Sequence, residues 1–330
     1  MRAVSPNGPK SPTTKLARCE EASPIQRSVV TKRIGLIINP TSDKGRGTAI
    51  GVEVMALLEA EGHEVVDLSD ETAASARDRA LAGIASGLDV LAVTGGDGTV
   101  NLGVNLCAGT ETVLAIIAAG TGNDIARALQ LPVHDASAAG KVIAGGAVRT
   151  IDAGRHTDAN GVSHWFVGVL GAGFDSVVNE RANMWGWPRG RMRYNLAIAR
   201  ELPVFKPIPF VIEVDGLRHS RQAMLVAVGN GPSYGGGMRV CPDARFDDGL
   251  FDILIVDQLS TIEFLKVFPK VFSGKHIGHP AVQILRGKEV RLEAAGIVSY
   301  ADGERFASLP MSCQNVPAAL NVLVAGPDVA

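Results

Sequence analysis

The chain has 330 residues, of which 46% are hydrophobic and 20% are charged, and its formal net charge is −2 at pH 7. This composition is that of a globular protein, and the length favours two domains, because a single core rarely grows beyond about 250–300 residues. The small net charge excludes a globally basic protein that binds nucleic acid. The four cysteines are scattered without a CxxC pair, which indicates reduced thiols and not a zinc site.

The N-terminal residues 1–32 are predicted to form a disordered, basic tail. Residues 1–33 contain seven Lys or Arg and only two Glu, as a transit peptide would, but their four prolines disfavour the amphipathic helix that such a peptide forms. Farther along the chain, no apolar run approaches the roughly 18 residues of a membrane span. We therefore expect a cytoplasmic protein whose membrane contact, if any, is peripheral and at the inner face.

Strands and helices alternate regularly over residues 33–150. The predicted strands cover residues 34–38, 63–68, 90–94 and 113–117, and the predicted helices cover residues 48–61, 73–86 and 100–108. Short apolar strands separated by helices of this length are typical of βαβ units. This part of the chain therefore predicts a parallel sheet with helices on both faces.

Strand-like segments dominate residues 151–314. The predicted strands cover residues 165–170, 210–214, 223–228, 251–256, 289–293 and 298–301, and helices are predicted at residues 173–182, 191–200 and 261–272. This change of rhythm indicates a second, mainly antiparallel β domain that begins near residue 150. The last apolar run, residues 319–325, could return to the first sheet, so residues 315–330 are candidates to complete the first domain.

Three glycine-rich loops follow predicted parallel strands. They are residues 39–47, which begin with Asn39, Pro40, Thr41 and Ser42; residues 95–99, Gly-Gly-Asp-Gly-Thr; and residues 120–124, Gly-Thr-Gly-Asn-Asp. Because the carboxyl ends of parallel strands meet at one edge of a sheet, the loops should converge on one crevice. Glycine backbone followed by a helix N-terminus suits phosphate. Asp97, within the second loop, is placed to hold Mg²⁺ or to accept a proton.

One alternative is a serine hydrolase, since residues 231–235 (Gly-Pro-Ser-Tyr-Gly) fit the G-x-S-x-G pattern of a nucleophile elbow. An acid and a base, Asp247 and His276, follow in hydrolase order. However, an elbow needs a helix behind Ser233, and the glycines at 235–237 together with Pro242 disfavour one.

A second alternative is a dinucleotide-dependent oxidoreductase that uses Gly45 and Gly47, but its fingerprint lacks the third glycine because position 50 is Ile. Protein kinases and P-loop enzymes fit less well. The chain contains no DFG or HRD sequence, and neither Lys141 nor Lys275, which follow glycines, precedes Ser or Thr.

Several short motifs resemble those of the diacylglycerol kinase catalytic domain family, which includes bacterial diacylglycerol kinases, sphingosine and ceramide kinases and, more distantly, NAD kinases. The motifs are Asn39-Pro40 with its loop, TGGDGTVN at residues 94–101, GTGNDIAR at 120–127, GAGFD at 171–175, GGG at 235–237, CPDARFDDGL at 241–250 and DGE at 302–304. They occur in the family's order over residues 34–305. The resemblance implies a Rossmann-like α/β N-terminal domain, an antiparallel β-sandwich C-terminal domain, and ATP with Mg²⁺ bound between them.

The resemblance and the loops together imply a set of nucleotide contacts. These are Asn39, Pro40, Thr41, Ser42, Gly95, Gly96, Asp97, Gly98, Thr99, Asn101, Thr121, Asn123 and Asp124. By resemblance, Glu304, with Asp302 beside it, is the general base that takes the proton from the acceptor hydroxyl, and Asp97 competes for that role. The resemblance also implies a structural Mg²⁺ site at Asp248, with the backbone carbonyls near Arg245 and Leu250.

The sequence departs from the family at one position, because Leu102 stands where many relatives carry a glutamate. A catalytically impaired, lipid-binding regulatory protein is therefore an alternative to an active lipid kinase, and an NAD kinase is the alternative with a soluble substrate. The acceptor can be a diacylglycerol, a sphingoid base or a ceramide, and a homodimer is compatible with the resemblance.

A segment rich in tryptophan and arginine predicts a membrane-docking edge. It contains Trp185, Trp187, Arg189, Arg191 and Arg193. Aromatic and cationic side chains together are typical of a protein that meets an anionic membrane surface, and a packed helix with a basic face is the equal alternative.

Overall fold

The computed structural model describes Met1, residues 31–185, Trp187 and residues 191–326, without the side chains of Lys44, Arg191, Tyr194 and Asn195. The predicted basic tail lies almost entirely outside the described residues, as does Arg189. The chain from Thr31 onward forms one compact unit. The boundary between two domains near residue 150 therefore stays a prediction.

The first part of this unit contains the predicted parallel strands and their helices. The strands are β1 (Arg33–Ile38), β2 (Glu64–Asp67), β3 (Val90–Gly95) and β4 (Val113–Ala118), and the helices are α1 (Arg46–Ala60), α2 (Ala73–Ala85), α3 (Asp97–Cys107), α4 (Asp124–Ala128) and α5 (Ala136–Gly145). The strands lie in the order β2-β1-β3-β4, and all their pairings are parallel. β1, β3 and β4 are buried almost throughout, as expected for a sheet covered on both faces.

The second part contains antiparallel strands and three helices. The strands are β5 (Ala147–Asp158), β6 (Ser163–Phe166), β7 (Val169–Gly173), β8 (Ile208–Val214), β9 (Leu217–Gly229), β10 (Phe251–Asp257), β11 (Val282–Gly287), β12 (Glu289–Glu293), β13 (Val298–Ala301), β14 (Glu304–Ser308) and β15 (Met311–Val324), and the helices are α6 (Phe174–Asn183), α7 (Arg191–Glu201) and α8 (Thr261–Val267). The predicted fold class, a Rossmann-like α/β part followed by an antiparallel β-sandwich part, is confirmed.

β15 joins the two parts into one sheet. It pairs antiparallel with β5 and β12, and near its end Val322 pairs in parallel with Leu114 of β4. The final run of the chain therefore does lie beside the first sheet. Loops that follow the parallel strands and the turn before β14 therefore line one cavity.

Two elements that were predicted as continuous are interrupted in the structure. The single strand predicted at residues 165–170 is two strands, because the N–H groups of Val167 and Gly168 donate to the carboxylate of Asp302 and not to a neighbouring strand. The helix predicted at residues 261–272 ends at Val267 and continues as a 3₁₀ helix, Phe268–Ser273. Pro269 has no N–H to continue the α-helical hydrogen bonds.

Candidate active site

A cavity of about 930 Å³ lies at the carboxyl ends of the parallel strands, where the three glycine-rich loops meet. The predicted nucleotide contacts that line it are Asn39, Pro40, Thr41, Ser42, Gly96, Gly98, Thr99, Asn101 and Thr121. Glu304 lines the same cavity from the second part of the chain. We call this space the nucleotide-side cavity. Gly95, Asp97, Asn123 and Asp124 do not line it.

The loop after β2 was missed in the sequence. Asp70, Glu71 and Thr72 line the nucleotide-side cavity, together with Arg77 from the first turns of α2. This loop contains no glycine, so it lacks the signature of the other three. Its position could have been inferred, because β2 is parallel to β1 and its carboxyl end opens on the same edge.

Two polar side chains tie the three loops together. The Asn39 side chain donates to Thr99 Oγ1 at 2.9 Å, and its Oδ1 accepts from the backbone N–H of Thr41 at 3.0 Å. Ser42 is buried, and its hydroxyl donates to the carbonyl oxygen of Ala119 at 3.0 Å. These bonds hold the first loop against the second and the third, so the cavity wall is organised by the protein itself.

Asn123 shapes the third loop from within. Its Oδ1 accepts from the N–H of Gly120 at 2.9 Å and its Nδ2 donates to the Gly120 carbonyl at 2.7 Å, while its φ is +54°. Both polar atoms of this buried side chain are thereby used. A Cβ on Gly120 would lie 2.3 Å from the Cα of Gly96, so only glycine allows the second and third loops to touch.

A second cavity, of about 390 Å³, adjoins the first on the far side of the Gly95–Thr99 turn. Three carboxylates, those of Asp97, Asp124 and Asp302, line it with apolar and aromatic side chains that include Tyr234 and Phe268. We call this space the acceptor-side cavity. The turns at residues 97–98 and 302–304 separate the two cavities, because Gly98 and Glu304 line the first and Asp97, Asp302 and Gly303 line the second.

Asp97 and Asp302 differ in what surrounds their carboxylates. Asp97 is half-buried, and burial, followed by the negative charge of Asp124, raises its pKa above the ordinary range. Asp302 is buried and accepts from the N–H groups of Val167, Gly168 and Val169 at 2.9–3.1 Å, and burial raises its pKa to about 6. Asp302 therefore fixes the DGE turn to the backbone of residues 167–169, whereas the carboxylate of Asp97 is partly exposed in the acceptor-side cavity.

Asp124 bridges the two parts of the chain. Its two carboxylate oxygens accept from the backbone N–H groups of Gly236 and Gly237, each at 2.6 Å. The three glycines at 235–237 have φ values of +66°, +82° and +100°, which side chains rarely adopt. Asp124 therefore holds one wall of the acceptor-side cavity in place, a role the sequence did not predict.

Asp248 lies in a separate polar cavity of about 490 Å³ with Asp243, Arg245 and Asp252. Its Oδ1 accepts from the Leu250 N–H at 3.1 Å and its Oδ2 pairs with Arg286, which also donates to Asp252 at 2.8 Å. Within the described part of the chain, no three His, Cys, Asp or Glu side chains form a metal-binding group. A cation here would therefore depend on Asp248 and on backbone carbonyls, and those oxygens suit a hard ion such as Mg²⁺.

The hydrolase hypothesis fails on geometry. Asp247 forms an ion pair with Arg149 at 2.9 Å, and Nε2 of His276 bonds to the Val240 carbonyl oxygen at 3.0 Å. No helix follows Ser233. The three residues are therefore not assembled into a nucleophile and its base.

Comparisons with known proteins identify the family of this chain. Residues 33–156 match the diacylglycerol kinase catalytic domain, and residues 168–324 match the YegS C-terminal NAD kinase beta sandwich-like domain. A diacylglycerol kinase from Mycobacterium tuberculosis (strain ATCC 25618 / H37Rv) is 41% identical over 303 residues, which cover 92% of this chain and 98% of that protein. The chain belongs to the diacylglycerol kinase family. It is accordingly a kinase with an alcohol group as acceptor, and membership implies ATP as the phosphoryl donor.

Solved structures support the fold of this kinase. The crystal structure of a diacylglycerol kinase from Bacillus anthracis superposes with a TM-score of 0.67 at 23% identity, over 91% of this chain and 98% of that one. An NAD kinase from Archaeoglobus fulgidus, crystallised with ATP, gives a TM-score of 0.50 at 11% identity, over 88% and 93% of the two chains. Among the described residues of the kinase, no helix is long and apolar enough to cross a bilayer.

Proposed function

We propose that this kinase transfers the γ-phosphate of ATP to the hydroxyl of a diacylglycerol-like lipid. The observation that carries the proposal is the pair of neighbouring cavities on the two sides of the turns at residues 97–98 and 302–304. One is lined by glycine-rich loops that suit phosphates, and the other by carboxylates and apolar side chains. The Mycobacterium tuberculosis relative, a protein named diacylglycerol kinase, supports this choice of acceptor.

An apolar cavity extends the acceptor side and favours a lipid. It is lined by side chains that include Phe174, Leu254 and Val256, and it shares Met238 and Phe268 with the acceptor-side cavity. This cavity is small, about 70 Å³, so it would take only the end of an acyl chain, whose burial contributes about 0.8 kcal/mol per CH₂ group.

We assign a separate step of the phosphoryl transfer to each group of site residues. We assign the removal of the hydroxyl proton to Asp97, since it is the half-buried carboxylate on the acceptor side and its pKa is raised. The hydroxyl oxygen then forms a bond to the γ-phosphorus, the bond from that phosphorus to the bridging oxygen breaks, and ADP leaves. Thr99 and the glycine backbone of the loops hold the phosphates. Mg²⁺ bound with ATP would supply charge neutralisation, and Glu304, one of the exposed carboxylates that line the nucleotide-side cavity, would hold it.

A panel of acceptors with labelled ATP tests this proposal. We expect label in diacylglycerol, sphingosine or ceramide, with diacylglycerol best, and none in NAD. Label in NAD alone would replace the proposal with an NAD kinase. No transfer to any acceptor, with lipid still bound, would favour the regulatory protein that Leu102 suggests.

Asp124→Asn should displace the pH dependence of the reaction. The amide removes the negative charge that, after burial, raises the pKa of Asp97, so that pKa should fall. Because a base acts only when deprotonated, the acid limb of the kcat/KM–pH profile should move to lower pH. The loss of one charged hydrogen bond should also lower the free energy of unfolding by about 1–3 kcal/mol. Asp78→Asn, on the exposed surface of α2, is the control, and an unmoved acid limb would contradict the assignment.

Asp248→Ala tests the proposed structural Mg²⁺ site. If the ion is bound there, chelator should lower the thermal midpoint of the wild type and not that of the variant, because a ligand that binds only the folded state stabilises it. The variant should also melt lower, since Arg286 loses an ion-pair partner. A wild-type midpoint that is the same with and without chelator would show that Arg286, and not a metal, neutralises Asp248.

The proposed membrane-docking edge is only partly exposed. Trp187 exposes 81% of its surface, as expected. Trp185 does not, because it is half-buried against the core of the second part and its carbonyl oxygen accepts from Arg193 at 3.1 Å. A docking edge would need both tryptophans exposed, and Trp185 does not meet that condition, so membrane contact by this segment stays a hypothesis. Arg189 and the side chain of Arg191 lie outside the described residues. Nothing in the structure tests whether the chain forms the homodimer that is compatible with the resemblance.

A further inference from the structure

The outward face of α8 and of the 3₁₀ helix that follows it exposes large apolar side chains. Ile262 and Leu265, three residues apart and thus on one side of the helix, expose 67% and 58% of their surfaces. Phe272, in the 3₁₀ helix, is exposed as well and packs edge-on against Phe268, with 6.3 Å between ring centroids. Exposed apolar residues scattered singly are ordinary, but a cluster on one segment marks an interaction site.

Cations accompany these apolar side chains. Lys266 and Lys270 are exposed on the same segment, and Lys275 is exposed just beyond it. The one acidic side chain in residues 261–278, Glu263, accepts hydrogen bonds from the N–H and the hydroxyl of Ser260 in a capping box. The segment therefore combines insertable hydrocarbon with an excess of positive charge, which is the combination that anionic bilayers attract.

The inward face of the same segment forms the wall of the lipid cavities. Phe264, Val267 and Val271 line the apolar cavity, and Phe268 lines the acceptor-side cavity that also contains Asp97. Phe272 lies at the rim of the acceptor-side cavity, where 45% of its surface is still exposed. The segment therefore lies between the exposed surface and the reacting carboxylate. A lipid that left a bilayer along this wall would remain against apolar side chains on its way to Asp97.

We propose that residues 261–273 dock on an anionic lipid bilayer, with Ile262, Leu265 and Phe272 inserted among the acyl chains and Lys266 and Lys270 at the headgroups. The segment, which we call the α8 surface, adds to Trp187 as a membrane contact. This inference rests on the proposed lipid kinase function, since the bilayer is both the partner and the source of the acceptor.

The first experiment uses the double variant Ile262→Glu/Leu265→Glu in the full chain. Its control is Val52→Glu/Leu217→Glu, which changes two apolar side chains of similar exposure, 54% and 69%, on α1 and at the start of β9. Binding is measured by flotation with phosphatidylglycerol–phosphatidylcholine vesicles. Activity is measured on long-chain diacylglycerol in those vesicles and on a soluble short-chain diacylglycerol.

We expect the α8 double variant to lose about tenfold or more in vesicle binding and in activity on vesicles, because two inserted side chains become charged. Its activity on the short-chain acceptor should stay within about twofold of wild type, and the control should match wild type in every assay. Retained short-chain activity also shows that the variant is folded. Vesicle binding equal to wild type would overturn the proposal.

A second variant tests the same surface by removing its positive charges, without placing a charge on an apolar side chain. Lys266→Ala/Lys270→Ala should weaken vesicle binding at low salt and differ little from wild type at high salt, since exposed charges are screened over about 8–10 Å at ordinary ionic strength. Lys288→Ala, an exposed lysine between β11 and β12, is the control. Equal binding of the lysine variant and its control at low salt would count against the α8 surface.

The two hypotheses can fail separately. If the wild type phosphorylates neither long-chain nor short-chain diacylglycerol, the proposed function fails, whatever the vesicle binding shows. If the wild type phosphorylates both and the α8 double variant is as active as wild type on vesicles, the function stands and the docking surface is wrong.

Discussion

Replacing Asp97 with asparagine is expected to remove most of the kinase activity while leaving the fold intact. Asparagine keeps the shape of the side chain and can accept the same backbone N–H, but it cannot take a proton from the acceptor hydroxyl. Loss of a general base lowers kcat by about 10²–10⁴-fold. Initial rates with the short-chain acceptor at saturating ATP give the measurement, and the thermal midpoint checks the fold.

The pH dependence adds a second readout for Asp97. Burial raises the pKa of this carboxylate, so wild-type activity should fall as the pH drops through that raised value. The residual activity of Asp97→Asn should lack this acid limb, while Asp78→Asn should retain it. Activity within about threefold of wild type, with an unchanged acid limb, would show that Asp97 is not the base.

Replacing Glu304 with glutamine is the second large effect that we expect. The resemblance makes Glu304 the general base, but the structure places it on the nucleotide side, where it would hold the Mg²⁺ bound with ATP. We expect about 10²-fold lower activity, a higher Mg²⁺ concentration for half-maximal rate, and a retained acid limb. Glu289→Gln, exposed on β12, is the control.

The two active-site variants discriminate between the candidate bases. If Glu304→Gln binds ATP and Mg²⁺ normally but loses the acid limb, Glu304 takes the proton and the assignment to Asp97 is wrong. If each variant loses a different property, as we expect, Glu304 acts in the nucleotide-side cavity and Asp97 in the acceptor-side cavity.

The glycine-rich loops could be predicted from sequence because local patterns determine them. Buried apolar runs identify β1, β3 and β4, and each loop starts where its run ends. The break between β6 and β7 could not be predicted, because its cause is the carboxylate of Asp302, more than 130 residues away along the chain. No periodicity within residues 165–170 contains that information.

Individual roles at the site were harder to predict for the same reason. Asn123 and Asp124 are adjacent in a motif that suggests nucleotide binding, yet one closes its own loop and the other binds Gly236 and Gly237 across the fold. Trp185 and Trp187 are two residues apart and differ in exposure. Which partner a side chain meets depends on tertiary contacts that a single sequence does not display.

The pairing of β15 with β4 limits how this chain can be divided. In a fragment that ended near residue 146, β4 would lose its partner strand at Leu114, and the N–H and C=O groups there would be open to other chains. Such a fragment should self-associate even though it contains every glycine-rich phosphate loop. A study of nucleotide binding by this fragment alone would therefore need β15 as well, either fused to the fragment or added as a separate peptide.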